Sequence, residues 1–231
     1  MARGIFGTRR VGHGGTLDPL ASGVLPVLVG AATRFADRLH ESAKVYDALV
    51  RLGSETTTDD REGTVTREAR VPSLASAEVE HALNGLRGSI EQTPPSFAAL
   101  KVAGRPAYAR ARAGETVALA ARTVQVMRLE VIGKRGPHLR LLVVCSSGTY
   151  VRALARDLGR RLDSAAHLAA LRRLAVGALE TRSAARIESL RSMGRERALA
   201  LLLPANEALL TLDRRFLEQP TATIVEPGSL S

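Results

Sequence analysis

The residues able to do chemistry gather in one short stretch, Gly12-His13-Gly14-Gly15-Thr16-Leu17-Asp18-Pro19-Leu20-Ala21-Ser22-Gly23-Val24-Leu25-Pro26. A single carboxylate, Asp18, stands directly before a proline and close behind a histidine, His13. The chemistry open to a lone carboxylate is that of a base or a nucleophile. The proline keeps the backbone of Asp18 out of the α region. Four glycines and two prolines in these fifteen residues make a shaped loop, not a helix or strand interior. An apolar run over 24–29 can anchor that loop to a core. The same residues also fit an ordinary turn in which Asp18 accepts hydrogen bonds from nearby backbone. Spacing alone leaves both readings open.

Other chemistries are poorly served. The one cysteine, Cys145, excludes internal disulfides and Cys-rich metal sites, and the five histidines form no H-x-x-x-H pair, so no metal is expected. A dinucleotide loop built on Gly12 and Gly14 fails, because Leu17 stands where a third glycine belongs and no strand is expected before it. No run of eighteen or more apolar residues exists and no apolar signal core follows the first residues, so the expected location is the cytoplasm, away from membrane.

The charge balance points to a polyanion. The 231 residues carry a net charge of +10, from 33 basic and 23 acidic residues, and 30 of the basic ones are arginine. Arginine makes planar two-pronged contacts with phosphate and stacks on bases. Nucleic acid is therefore the leading partner class, a solubilising surface the alternative. Over 134–182, ten basic residues face Asp157, Asp163 and Glu180, a local net charge of +7 that reads as a patch.

Several elements must position the loop. Periodicity predicts a short helix over 32–42, with Phe35 and Leu39 on one face, a strand over 44–52, a polar loop over 53–63 and a strand over 64–70. A helix over 76–86 carries Val79, Leu83 and Leu86 in one stripe, with Ser76 as N-cap. Pro94-Pro95 breaks the chain, 97–102 is short and apolar, and 107–113 is read as helical. Strands are expected over 123–132 and 139–146, the second buried on both faces. A helix is expected over 150–162, a helical or turn-like piece over 167–174, and a last helix over 187–203 with Gly194 a break. The fold class is α+β, a mixed, mainly antiparallel sheet flanked by helices. Beyond Pro204 the periodicity fades.

Four ordered blocks resemble the TruB-type tRNA pseudouridine synthases. The stretch from Gly12 to Pro26 resembles their catalytic motif. Lys44-Val45-Tyr46 with Leu52-Gly53, Thr58-Asp59 and Gly63 resembles the second. Gln92-Thr93-Pro94-Pro95-Ser96 with Leu100-Lys101, Gly104, Tyr108 and Ala111-Arg112 resembles the middle block. Ser147-Gly148-Thr149-Tyr150-Val151-Arg152 with Asp157-Leu158-Gly159, then Leu171-Arg172-Arg173, resembles the third. The likeness runs from Gly7 to about Leu210. It departs from the family pattern at Gly14 (usually threonine), Ser147 (commonly lysine) and Phe97-Ala98 (commonly Tyr-Ser).

The resemblance implies the pseudouridine synthase fold and isomerisation of uridine to pseudouridine in the T-loop of tRNA, at position 55, without a cofactor. It implies a monomeric protein acting on the T-arm. Asp18 takes the role of the catalytic aspartate, attacking C1′ or abstracting a sugar proton; the residues leave that choice open. Arg152 pairs with it, Tyr46 stacks on the flipped base, and His13 fills the vacated stack. Lys44, Arg172 and Arg173 are expected to contact RNA. Family members carry a further strand and a Lys-Pro-x-Gly turn ahead of the loop, so the N-terminal strand is expected to be lacking. Residues 1–204 are read as the catalytic domain and 205–231 as the start of a shortened C-terminal RNA-binding region. The alternative is a tRNA-binding or tRNA-folding protein of weak activity on the same scaffold.

Overall fold

A computed structural model describes residues 1–98, 101–102, 105–106, 119–205 and 208. The segment expected as a helix over 107–113 and the chain beyond 208 lie outside the described residues. The chain opens with α1 (Ala2–Phe6), then β1 (Val11–His13), β2 (Ala21–Gly23), β3 (Val27–Val29), a 3-10 turn (Gly30–Phe35) and α2 (Ala36–Glu41). It continues with β4 (Lys44–Leu52), β5 (Ser54–Thr56), β6 (Val65–Glu68), α3 (Ser76–Asn84), β7 (Gly88–Gln92) and the short β8 (Lys101–Val102) and β9 (Arg105–Pro106). Then come β10 (Arg122–Arg135), β11 (His138–Cys145), α4 (Val151–Arg161), β12 (Ala166–Val176), β13 (Leu179–Glu180), α5 (Ile187–Ser192) and α6 (Arg195–Ala200).

The central sheet has seven strands, in the order β13-β12-β4-β11-β10-β7, with β2 joined to β12. Every pairing along that path is antiparallel, and β2 alone runs parallel to its neighbour. The α+β class and mainly antiparallel sheet follow from alternating apolar residues in β4 and β10 and from the continuous apolar run of β11, buried on both faces over 141–145. Ala48, Val50 and Leu52 of β4 and Leu139, Leu141 and Val143 of β11 all point to one face. That face packs against Val79 and Leu83 of α3 and Val151, Leu154 and Leu158 of α4. Each such side chain contributes roughly 1.5–3 kcal/mol on leaving water. Helix α3 begins with Ser76 as its first helical residue, not its cap. The predicted last helix is two, α5 and α6, parted at Gly194 with φ 79°.

The stretch 167–174 is corrected by the structure: it is a strand. Its residues, Leu168-Ala169-Ala170-Leu171-Arg172-Arg173-Leu174, have high intrinsic helix propensity. Pairing with β4 on one side and β2 on the other overrides that preference, and two irregularities in register, at Leu168/Ala170 and Arg173/Ala175, let the strand curve. The glycine-rich loop is likewise less irregular than its composition suggests. It contains β1 and β2, and β1 pairs with β3 in a small hairpin.

Beside the core, the β5–β6 hairpin is tied to α4 through Glu55, whose carboxylate accepts from Arg67 at 2.6 Å and from Arg160 at 3.1 Å. Burial pushes its pKa up, but the two guanidinium groups outweigh that and hold it at about 2. A carboxylate depressed in the folded state adds stability above its ordinary range, near 4.5, and loses it as pH falls toward 2. Both arginines are half exposed, so the effect is about 1 kcal/mol. Urea midpoints measured from pH 5 to 2.5 should fall less steeply in Glu55→Gln than in the parent chain.

Candidate active site

Helix α4 carries the arginine of the site, and its start is clamped. Gln92, fully buried at the end of β7, accepts from the backbone N–H of Tyr150 at 2.8 Å and donates to the Tyr150 carbonyl at 3.2 Å. Two residues on, Arg152 is only 5% exposed. Its Nε and Nη2 donate to the two carboxylate oxygens of Asp18, at 3.0 and 2.9 Å, in the two-pronged geometry that fixes a carboxylate's direction. The remaining donors reach the carbonyls of Thr58 at 3.0 Å and Phe97 at 3.4 Å, and Asp60 lies 3.6 Å from Nη1. Asp18 is about a quarter exposed, open to a ligand on one side and held on the other.

The second block supplies the support. Asp60 is buried and held by the Thr58 hydroxyl at 2.6 Å and the Glu62 N–H at 3.0 Å, which leaves its other oxygen for Arg152. Asp59 adopts φ 59°, and its carboxylate meets Arg156 one turn beyond Arg152, at 2.7 Å. Burial pushes the Asp59 carboxyl pKa upward, against the pull of Arg156. Thr58, Asp60 and Gln92 had no role in the sequence reading. All three lie in or beside the quoted blocks, and that position was the available signal.

Two close approaches shape the loop around Asp18. Gly23 sits at φ 106°, and a β carbon there would fall 2.1 Å from the carbonyl oxygen of Arg173, so only glycine allows β2 to lie beside β12. A β carbon at Gly14 would meet Leu39 at 2.6 Å. Leu39 of α2 thus fills the space that a side chain at this position would need.

Tyr46 is partly buried on β4, its strand position paired with Arg173. Burial above all pushes its hydroxyl pKa up to about 12, so it keeps its proton at neutral pH. His13 is exposed at the end of β1, with the ring of His40 packed edge-on at 6.4 Å. Arg172 is exposed.

Two expected RNA contacts are redirected. Lys44 is buried, and its ammonium donates to the carbonyls of Leu39, His40 and Ser42 at the end of α2. Burial first, then the charge of Arg173, lower its pKa to about 8. Arg173 is buried too and turned toward the Asp18 loop. The basic run over 134–182 also spends much of its charge internally. Arg140 pairs with Asp47, Arg152 with Asp18, Arg156 with Asp59 and Asp157, Arg160 with Glu55, and Arg182 with Glu180. No group of three or more metal-ligating side chains occurs among the described residues, and no described helix is long and apolar enough to cross a membrane.

Residues 3–151 match the family model described as TruB family pseudouridylate synthase (N terminal domain). A relative from Xanthomonas axonopodis pv. citri (strain 306), named tRNA pseudouridine synthase B, is 45% identical over 230 residues, spanning 98% of this chain and 74% of its own. One of the same name from Nocardia farcinica (strain IFM 10152) is 51% identical over 179 residues, 76% of this chain and 58% of its own. Among solved structures, a Cbf5-Nop10-Gar1 complex includes a chain that superposes with TM-score 0.66 at 25% identity, over 90% of this chain and 55% of that one. An H/ACA RNP bound to a substrate RNA containing 2'-deoxyuridine gives TM-score 0.58 at 25% identity, over 81% and 45%.

Proposed function

Since the chain belongs to the TruB family of pseudouridylate synthases, we propose that it isomerises uridine to pseudouridine in the T-loop of tRNA, with Asp18 as the catalytic carboxylate. The observation that carries this reading is the Asp18–Arg152 pair, a carboxylate aimed by a buried guanidinium from a helix 134 residues away in sequence. The reaction breaks the C1′–N1 glycosidic bond, turns the uracil, joins C5 to C1′ and moves the C5 proton to solvent and a proton to N1. A carboxylate near the sugar serves it either by bonding to C1′, as in retaining glycosidases, or by taking a proton from C2′. The target base must leave its stack to reach Asp18, and unstacking costs a few kcal/mol. Tyr46 offers the flipped base a π face, and the exposed ring of His13 takes the place the base leaves. Arg172 adds positive charge for the RNA backbone.

The test is incubation with an unmodified tRNA transcript, followed by position-by-position mapping of pseudouridine. One modified uridine in the T-loop is expected. Binding without product would instead favour a tRNA-binding or tRNA-folding role. Affinity should also drop steeply between 50 and 200 mM salt, by about 10-fold or more if only a few phosphates are neutralised. A flat salt response would remove RNA as the ligand.

A further inference from the structure

Arg173 is a buried cation facing carbonyls. It is 1% exposed and among the largest fully enclosed side chains of the protein. No ion pair to it occurs among the described residues. Its Nε donates to the Val24 carbonyl at 2.9 Å, its Nη2 to the Gly15 carbonyl at 3.0 Å and its Nη1 to the Thr16 carbonyl at 3.4 Å. Those carbonyls lie on both limbs of the loop, two before Asp18 and one after it. The backbone of Arg173 does the same work: its carbonyl accepts from the Val24 N–H at 2.9 Å, and it faces Gly23 in the β2–β12 pairing. Tyr46 is its register partner on β4.

A buried charge is costly unless its donors are satisfied. Three backbone carbonyls converging on one planar fork meet that condition only when the loop is closed in one shape. We infer that Arg173 is the positioning residue of the catalytic loop: its guanidinium cross-links the two limbs, holds the Asp18 carboxylate where Arg152 receives it, and sets the loop against Tyr46. The guanidinium also lies near enough to Tyr46 to oppose, by hydrogen bonding and charge, part of the rise that burial imposes on the hydroxyl pKa. Lysine cannot replace it, since one ammonium on a flexible stem does not span three carbonyls in a plane. The inference rests on the proposed activity for its kinetic readout, and on backbone geometry alone for its other one.

Two variants and two measurements test it. Arg173→Lys keeps the charge and removes the fork; Arg173→Ala removes both and leaves a cavity for a small guanidinium. Hydrogen exchange, followed by mass spectrometry, should show peptides covering 12–26 exchanging at least 10-fold faster in both variants, with β10 and β11 unchanged. With saturating tRNA, the single-turnover rate should fall about 100-fold while tRNA affinity stays within twofold, and methylguanidinium should restore part of the rate to Arg173→Ala. Normal loop protection and normal rate in Arg173→Lys would overturn the inference. So would a loss of folding in both variants, which would make Arg173 a core residue without a particular tie to the loop. Faster exchange of the loop in a chain whose parent makes no pseudouridine would sink the proposed reaction and leave this inference standing.

Discussion

Asp18→Asn should abolish pseudouridine formation and leave tRNA bound. The amide is nearly the same size and still offers Arg152 one acceptor oxygen. It has neither the charge to attack C1′ nor the basicity to take a sugar proton. The expected drop in single-turnover rate is at least about 1,000-fold, the scale seen when a group that acts directly in bond making is removed. Affinity should stay within twofold, because the RNA contacts proposed for His13 and Arg172 are untouched. Stability should fall by only about 1–3 kcal/mol, the cost of weakening one buried charge-assisted contact. Arg152 retains Asp60 as a counter-charge at 3.6 Å and the carbonyl of Thr58 at 3.0 Å. Filter binding alongside a tritium-release or mapping assay separates the two effects. Turnover at the parent rate would remove Asp18 from the chemistry.

Arg152→Ala should have the largest effect on the fold. The side chain is buried and donates to one carboxylate and two carbonyls, with a second carboxylate beside it. Its removal leaves Asp60 enclosed without a cation, at a cost of about 3–5 kcal/mol, on the pattern of buried pairs broken from one side. Rate should be lost as well, because nothing then aims Asp18. Arg152→Lys restores charge but not the two-pronged contact, so it should recover part of the stability and little of the rate. Urea denaturation of the three chains decides the point. A change below 1 kcal/mol in Arg152→Ala would show that this arginine does not hold the site together.

The contrast between Arg152 and Arg173 shows what sequence can carry. Arg152 sat in a block with an ordered partner far away, and the block implied the pairing that the structure displays. Arg173 sat in a block too, but its direction depends on whether the chain there is a helix or a strand. Read as helical or turn-like, the stretch gave no ground for parting Arg172 from Arg173, and both were expected to contact RNA. As a strand, alternation parts them: Arg172 is exposed and Arg173 is enclosed. The strand forms because β4 and β2 pair with it, and neither partner is local. The internal pairing within the basic run was hidden for the same reason. Four of its partners, Asp18, Asp47, Glu55 and Asp59, lie far upstream, where a local charge count does not reach, while Asp157 and Glu180 are the local ones. Local pattern was enough for β4, β10, β11, α3 and α4, whose apolar periodicity matches the face they bury.

The parallel pairing of β2 with β12 joins positions whose contact at Val24 and Arg173 spans 149 residues. Contacts of such separation form late, because the chain between must first be ordered. During synthesis the Asp18 loop leaves the ribosome long before the strand and the arginines that close it. The local hairpins β10–β11 and β5–β6 should therefore return before activity does in a refolding experiment, and the newly made loop must wait until Arg173, 149 residues beyond Val24, has followed it.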